Sequence, residues 1–182
     1  MNFKKTLELL LNDFSKNDIR YGLIGGFALG LWGINRTTID LDFLIHRDDI
    51  DKLDKIMKLY EYECFYRTEN VSQYISSIKI FGEIDFIHSF RKISLKMLER
   101  AIEMKIFEGE LKIKVLKPED IIGLKIQAAV NEPQRALQEY FDIESLMNHF
   151  KTELNWEMIE EHFTLFDLKE KYIELKKKYY AE

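Results

Sequence analysis

The chain has 182 residues, of which 46% are hydrophobic and 13% aromatic, which suits one domain or a compact domain with a helical appendage. The formal net charge of −5 argues against a protein that coats nucleic acid, because such coating requires a basic surface. Cys64 is the only cysteine, which excludes an intrachain disulfide and a cysteine-based zinc site and predicts a reducing, cytoplasmic location. No run of about 20 apolar residues predicts a membrane span.

The first third of the chain alternates helical and strand patterns. Apolar residues at helical spacing predict a helix from Phe3 to Ser15. The segment "RYGLIGG" predicts a short buried strand that ends in a glycine turn, and "FALGLWGI" predicts a helix after it. The segment "TTIDLDFLIH" is the clearest strand, and an amphipathic helix follows in "RDDIDKLDKIMKLY".

The middle of the chain is rich in strand patterns, and the end is helical. Strands are predicted in "YECFYRT", "VSQYISSIKIF", "GEIDFIHSF" and "GELKIKVL", with a partly helical stretch, "KISLKMLERAIEMKIF", before the last. The second and third of these strands form a predicted hairpin through Gly82-Glu83. From Pro118, a favoured residue in a first helical turn, the pattern is helical to the end. We therefore expect an α+β fold, with a small mixed sheet flanked by helices over residues 1–117 and a helical region over 118–182 that packs on it.

Asp40 and Asp42 alternate with apolar residues, so both carboxylates fall on one face of their predicted strand, while Ile39, Leu41 and Phe43 face the core. Two residues of strand span about 6.6 Å, and carboxylates this close repel and raise each other's proton affinity. A half-solvated acidic strand face would explain the pair. A divalent-cation site would also explain it, because Mg²⁺ binds one or two carboxylates together with substrate phosphates.

A third carboxylate and a glycine pair favour the cation site. Asp85 lies in the apolar segment "EIDFIH", where a charge needs a partner. If its strand pairs beside the Asp40 strand, all three carboxylates converge; otherwise Asp85 is an edge-strand residue bound to backbone or to an arginine. Gly25-Gly26 is either a plain tight turn or a point where backbone and helix N-terminal amides approach a phosphate. The order of strand, glycine turn, helix and two-aspartate strand favours the second interpretation.

These residues carry a resemblance to a known superfamily. The run "LIGGFALGLWGINRTTIDLDFLI" resembles the motif of nucleotidyltransferases with the DNA polymerase β-like fold, in which a hydrophobic residue and Gly-Gly or Gly-Ser precede Asp-x-Asp. Asp85 in "GEIDFI" matches the third acidic residue of that pattern. The segment "LKPEDIIGLKIQAAVNEPQRALQEYFDIESL" is similar to the helical continuation in small bacterial members of the abortive-infection toxin and lincosamide types. The resemblance covers Tyr21 to Leu146.

The resemblance implies a metal-dependent enzyme that moves an NMP from an NTP to an acceptor hydroxyl, with Mg²⁺ or Mn²⁺ as the cofactor. The residues that it assigns to catalysis and metal binding are Asp40, Asp42 and Asp85, and those that it assigns to nucleotide binding are Gly25, Gly26, Arg36, Thr38 and Lys125. A buried lysine on an apolar helix would be explained equally by a side chain that extends to solvent.

The resemblance leaves the acceptor open among tRNA, a protein and a small molecule such as an antibiotic. It also implies a possible partner protein in a toxin–antitoxin or phage-defence system, and a homodimer fits the same family. Two departures bear on activity: Gly26 stands where many members carry a serine that contacts the phosphates, and Gln138-Glu139 stands where a Lys-Asp pair is common. The alternative is therefore a catalytically degenerate protein of the same fold that acts as an antitoxin or regulatory binding module.

Overall fold

The computed structural model describes residues 1–180; residues 181 and 182, which end the predicted helical region, lie outside the described residues. The chain forms two compact units. The first contains Met1–Leu31 and Asn35–Leu116, and the second contains Trp32–Ile34 and the chain from Lys117 onward. Within residues 1–180, no helix has the length and apolar composition needed to cross a membrane.

The first unit is a sheet with helices. Its α-helices are α1 (Phe3–Lys16), α2 (Gly25–Leu31), α3 (Ile50–Leu59) and α4 (Lys92–Glu99). Its strands are β1 (Tyr21–Ile24), β2 (Leu41–His46), β3 (Tyr62–Arg67), β4 (Val71–Ser76), β5 (Glu83–Ser89), β6 (Ile102–Ile106) and β7 (Leu111–Val115). In the described chain they form one seven-stranded sheet in the order β3–β4–β5–β2–β1–β7–β6. Strand β2 runs parallel to β5 and β1 parallel to β7, and the other pairs are antiparallel, which confirms the predicted mixed sheet.

One face of this sheet carries an aromatic core. Phe43 of β2 and Phe86 of β5 stack with ring centroids 5.5 Å apart, and Phe14 of α1 meets Phe43 edge-on at 5.9 Å. All three rings are buried, and each contributes about 1.5–3 kcal/mol through burial. Because side chains alternate along a strand, the neighbours of these rings on β2 and β5 project from the opposite face. That opposite face carries Asp42 and Asp85.

The second unit is helical within the described residues, as predicted. Its α-helices are α5 (Pro118–Asn131), α6 (Ala136–Phe150), α7 (Trp156–Thr164) and α8 (Lys169–Tyr179). Pro118 opens α5, where its missing N–H has no helical partner to lose, and Pro133 follows the end of the same helix. The Asn155 side chain accepts a hydrogen bond of 3.1 Å from the Met158 N–H and so caps the start of α7.

The structure corrects the predicted start of the aspartate strand. β2 begins at Leu41, so Asp40 lies in a bend before the strand, and the Ile39 side chain is 79% exposed instead of facing the core. The reason is the length of the neighbouring strand: β1 ends at Ile24, directly opposite Asp42, and the chain then turns into α2. No backbone of β1 remains to pair with residues 39 and 40.

The predicted hairpin is confirmed as a pair of strands, but its predicted connection is wrong. β4 ends at Ser76 and β5 begins at Glu83, so residues 77–82 form the connection in place of a turn at Gly82-Glu83. A turn closed by the Phe81 N–H and the Ile78 carbonyl, 2.9 Å apart, stops β4 early, and the Phe81 ring stacks on Tyr62. The stretch that was predicted to be partly helical also contains the strand β6.

Strand β3 lies at the edge of the sheet. Its register against β4 shifts between Cys64 and Tyr66, which marks a β-bulge, and its residues from Glu63 to Arg67 are exposed. The Arg67 guanidinium turns back and donates hydrogen bonds to Asp54 of α3. The edge strand is therefore fixed to the unit at its end and distorted in its middle.

Candidate active site

Asp42 and Asp85 occupy directly opposite positions on two parallel strands. The register of β2 and β5 pairs Asp42 with Asp85, and neighbouring strands lie about 4.8 Å apart. Opposite residues project from the same face, so the two half-buried carboxylates lie side by side. The pairing of the Asp85 strand beside the aspartate strand is thus confirmed.

Gly25 makes room for the Asp42 carboxylate. A Cβ atom at position 25 would lie 1.9 Å from Oδ2 of Asp42, closer than any two unbonded atoms can come. The φ angle of Gly25 is +68°, in the left-handed region that favours glycine. Two independent constraints therefore require glycine here, and one of them is the carboxylate itself.

Gly26 is linked to the Asp40 carboxylate through the side chain of Thr38. A Cβ atom at position 26 would lie 2.7 Å from the Thr38 Cβ, so this threonine packs directly on Gly26. The Thr38 hydroxyl donates a hydrogen bond of 2.6 Å to Oδ1 of Asp40. Asp40 is thus held next to the glycine pair by a side-chain hydrogen bond, although it lies outside the strand.

The face that carries Asp42 and Asp85 continues as a row of side chains across the sheet. Register pairs Asp85 with Gln73 of β4, and Gln73 with Tyr66 of β3. The Gln73 amide donates a hydrogen bond of 2.7 Å from Nε2 to Oδ2 of Asp85. No sequence pattern indicates a role for Gln73, since the connection between β4 and β5 sets which residue faces Asp85. With a turn at Gly82-Glu83, a residue other than Gln73 would lie opposite Asp85.

His88 lies on the other face of β5 from Asp85. It is 5% exposed, and its ring nitrogens lie 3.0 Å from the Glu69 carbonyl and 3.0 Å from the Ser72 hydroxyl. Burial lowers the pKa of the imidazole, against an opposing effect of the Glu69 carbonyl. His88 therefore belongs to the buried face of the sheet.

The carboxylate pair fits the ligand chemistry of magnesium. Among residues 1–180, no group of three or more His, Cys, Asp and Glu side chains is gathered closely enough to hold a metal ion. Mg²⁺, however, keeps several waters and is usually held by one or two carboxylates plus substrate phosphates. Asp42 and Asp85 supply such a pair, and Gly25 places no side chain of its own against the Asp42 carboxylate.

The two cations of the predicted site lie in different units. Arg36 is exposed, in the irregular segment that precedes β2. Lys125 lies on α5, and its amine is 2.9 Å from Glu139 and 2.6 Å from Asp142, both on α6. The Lys125 side chain is only 12% exposed, so of its two interpretations the extension to solvent is wrong. Its contact with a nucleotide stays a prediction.

Comparison with known proteins agrees with the fold. The family model described as "Nucleotidyl transferase of unknown function (DUF2204)" matches residues 3–178. A search of curated proteins finds no match to the sequence.

Several solved structures are similar to the chain. The solution structure of the antibiotic-resistance factor ANT(2'')-Ia has a TM-score of 0.64 and 16% identity, over 96% of this chain and 97% of that one. An antigenic nucleotidyltransferase-like protein from Paracoccidioides brasiliensis has a TM-score of 0.58 and 20% identity, over 100% and 93%. The lincomycin-bound lincosamide antibiotic adenylyltransferase LnuA has a TM-score of 0.51 and 17% identity, over 78% and 94%. At these identities the likeness is one of fold.

Proposed function

The chain belongs to the nucleotidyl transferase family DUF2204, and on that premise we propose that it transfers an NMP from an NTP to an acceptor hydroxyl in a metal-dependent reaction. The observation that carries the proposal is the opposition of Asp42 and Asp85 on β2 and β5 beside Gly25. Two carboxylates in register on one sheet face repel each other, and a bound divalent cation removes that repulsion.

In the proposed reaction the acceptor oxygen forms a bond to the α-phosphorus, the bond from that phosphorus to the bridging oxygen breaks, and pyrophosphate leaves. Mg²⁺ or Mn²⁺, when bound by Asp42 and Asp85 and the triphosphate, supplies charge neutralisation and makes the acceptor hydroxyl more acidic. Asp85 receives the hydroxyl proton. Gly25 and Gly26 allow the backbone to approach the triphosphate, and Asp40, in the bend before β2, is proposed as a further ligand.

The remaining nucleotide contacts in the proposal come from Arg36, Thr38 and Lys125. Thr38 packs on Gly26 and so lies beside the proposed phosphate site. Arg36 and Lys125 are cations suited to phosphate oxygens.

A matched pair of variants tests the carboxylate site. Asp42→Asn keeps the side-chain shape and removes the charge, and Asp48→Asn makes the same change at a side chain that is 76% exposed. Calorimetry with each NTP and Mg²⁺ should detect binding to the wild type and to Asp48→Asn, and lose it in Asp42→Asn. Equal binding by both variants would contradict the assignment.

A degenerate binding module is the second candidate, and Gly26 is the observation that favours it. Position 26 offers only a backbone amide, and Thr38 fills the space that a serine side chain would need. Such a protein would bind NTP and Mg²⁺ without transferring the nucleotide. Release of pyrophosphate in the presence of total cell extract separates the two: release by the wild type, lost in Asp42→Asn, identifies the transferase.

For the acceptor we propose the hydroxyl of a small molecule. ANT(2'')-Ia has been crystallised with adenylyl-2''-tobramycin, and LnuA with lincomycin. The sheet face beside Asp85 carries the exposed Glu63 and Glu83, which lie on either side of Ile75 and would repel RNA phosphates. Labelled NTP offered to tRNA, lysate protein and hydroxylated antibiotics in parallel tests this, and label in tRNA or protein would replace the small molecule as acceptor.

The cellular role completes the proposal. We place the enzyme in the cytoplasm as a member of a toxin–antitoxin or phage-defence system, with a partner protein or a second copy of the chain bound to it. Expression of the chain alone and with the product of each adjacent gene tests the partner: arrested growth that a neighbour relieves supports a toxin, and growth that is never affected contradicts it.

A further inference from the structure

Gln73 faces the proposed catalytic carboxylate from the neighbouring strand, and we infer that it is a positioning residue that fixes the orientation of Asp85. The inference rests on the proposed function and deepens it. Its basis is the 2.7 Å hydrogen bond from Gln73 Nε2 to Asp85 Oδ2 and the register that sets the two residues opposite each other.

The backbone of Gln73 is fixed on both sides. It lies on β4, which pairs with β5 through Asp85 and with β3 through Tyr66, so the residue is inside the sheet and not at its edge. A side chain on such a strand reaches its neighbour from a backbone whose position is already set. The amide therefore holds Oδ2 of Asp85 in one place, and the rest of the carboxylate is turned accordingly.

The chemistry of the donor matters as much as its position. An amide N–H is neutral, so it orients the carboxylate and leaves its negative charge for a cation. A lysine or arginine in the same place would pair with Asp85 and compete with a metal ion. A glutamate would present a second acceptor and repel the carboxylate. A neutral donor therefore suits a carboxylate that must bind a cation.

The sheet itself has no need of an amide at this position. The residues on either side along the same face of β4 are Val71 and Ile75, both apolar and β-branched. β-branched residues favour strands, whereas glutamine has no such preference. A purely structural role would be filled at least as well by valine or threonine, which places the reason for Gln73 in its contact with Asp85.

Three substitutions and one control test the inference. Gln73→Ala removes the donor, Gln73→Glu replaces it with an acceptor of the same shape, and Gln73→Lys replaces it with a charged donor. Gln134→Glu makes the same chemical change at an exposed residue of the second unit. Each protein is assayed for Mn²⁺ binding in the presence of a non-hydrolysable NTP analogue, by electron paramagnetic resonance, and for kcat, KM and Tm.

We expect all three Gln73 variants to remain folded and to lose about 10–100-fold in Mn²⁺ affinity or kcat, the range found for residues that orient metal ligands. Gln134→Glu should match the wild type. A structural role alone would lower Tm and leave Mn²⁺ affinity and kcat unchanged, which would overturn the inference and leave the proposed function in place. A wild type that binds no Mn²⁺–nucleotide and transfers nothing would overturn both.

Discussion

The half-buried carboxylates of the candidate site and the buried carboxylates of α6 accept hydrogen bonds from different kinds of donor. In the first unit, Asp85 accepts a hydrogen bond from an amide and Asp40 from the hydroxyl of Thr38. In the second, the amine of Lys125 contacts both Glu139 and Asp142, whose side chains are 5% and 2% exposed. Neutral donors orient a carboxylate, whereas a cation also neutralises it.

This difference separates two uses of the same residue type. The charge of Glu139 is matched further by Arg135, 2.9 Å away in the same unit. Such a group is held together by its own members, and removal of one leaves buried charge without its partner. A neutral donor adds no charge of its own to the carboxylate that it orients. Substitutions in the two regions should therefore have different effects, on activity in the first and on stability in the second.

The largest expected effect is on activity in the first unit. Asp85→Asn should lower transfer about a thousandfold, which corresponds to about 4 kcal/mol at 1.36 kcal/mol per factor of ten. The amide keeps the shape of the carboxylate, so thermal unfolding should change little. The same change at Asp142 should instead lower Tm, because it removes a partner of the buried Lys125. A lower Tm in Asp85→Asn with unchanged transfer would contradict a catalytic role for Asp85.

The next effect is on the stability of the second unit. Lys125→Met leaves Glu139 and Asp142 buried without that cation and should lower the free energy of unfolding by about 3–5 kcal/mol. Urea denaturation measures the change. Lys177→Met, at an exposed lysine of α8, is the control and should stay within about 0.5 kcal/mol of the wild type. If both variants unfold alike, the charges on α5 and α6 do not stabilise one another.

A smaller effect tests how Thr38 and Gly26 share one space. Gly26→Ser would push its Cβ against Thr38, disturb the bond to Asp40, and lower stability by about 1–3 kcal/mol. Thr38→Ala alone loses only that bond, at about 1 kcal/mol. The double variant relieves the contact with the Thr38 Oγ1, at 2.8 Å, but not that with the Cβ, at 2.7 Å, which alanine keeps. Only part of the loss should therefore be recovered in denaturation and transfer assays. Strictly additive losses would show that the two residues do not compete.

The smallest effect concerns His88, a buried group of the first unit that also has neutral partners. Because burial lowers its pKa, the unfolded chain takes up a proton first as the pH falls below about 6.5. The stability contributed by neutral His88 is therefore present above that pH and is lost as the pH falls towards the lower folded value, by at most about 1.4 kcal/mol per pH unit. Urea midpoints between pH 5 and 8 should show this slope for the wild type and a weaker one for His88→Gln.

The sequence was most informative where local pattern decides the outcome. Strand alternation was enough to set Asp42 and Asp85 on the face opposite the aromatic core, and the glycine turn was evident from its neighbours. It was misleading for Asp40, because the end of β1 decides where β2 can begin. The contact between Gln73 and Asp85 depends on the length of a connection, and that of Lys125 depends on how two helices pack. Neither is encoded in local periodicity.

The bulge in β3 has a consequence for the behaviour of the protein in concentrated solution. An edge strand with exposed aromatic side chains is a template on which a second chain can add, and Phe65 and Tyr66 are 54% and 49% exposed. The shift of register between Cys64 and Tyr66 breaks the even spacing of hydrogen-bonding groups that such addition requires. This edge is thereby protected from the self-association that leads to aggregates, while its aromatic side chains remain open to solvent.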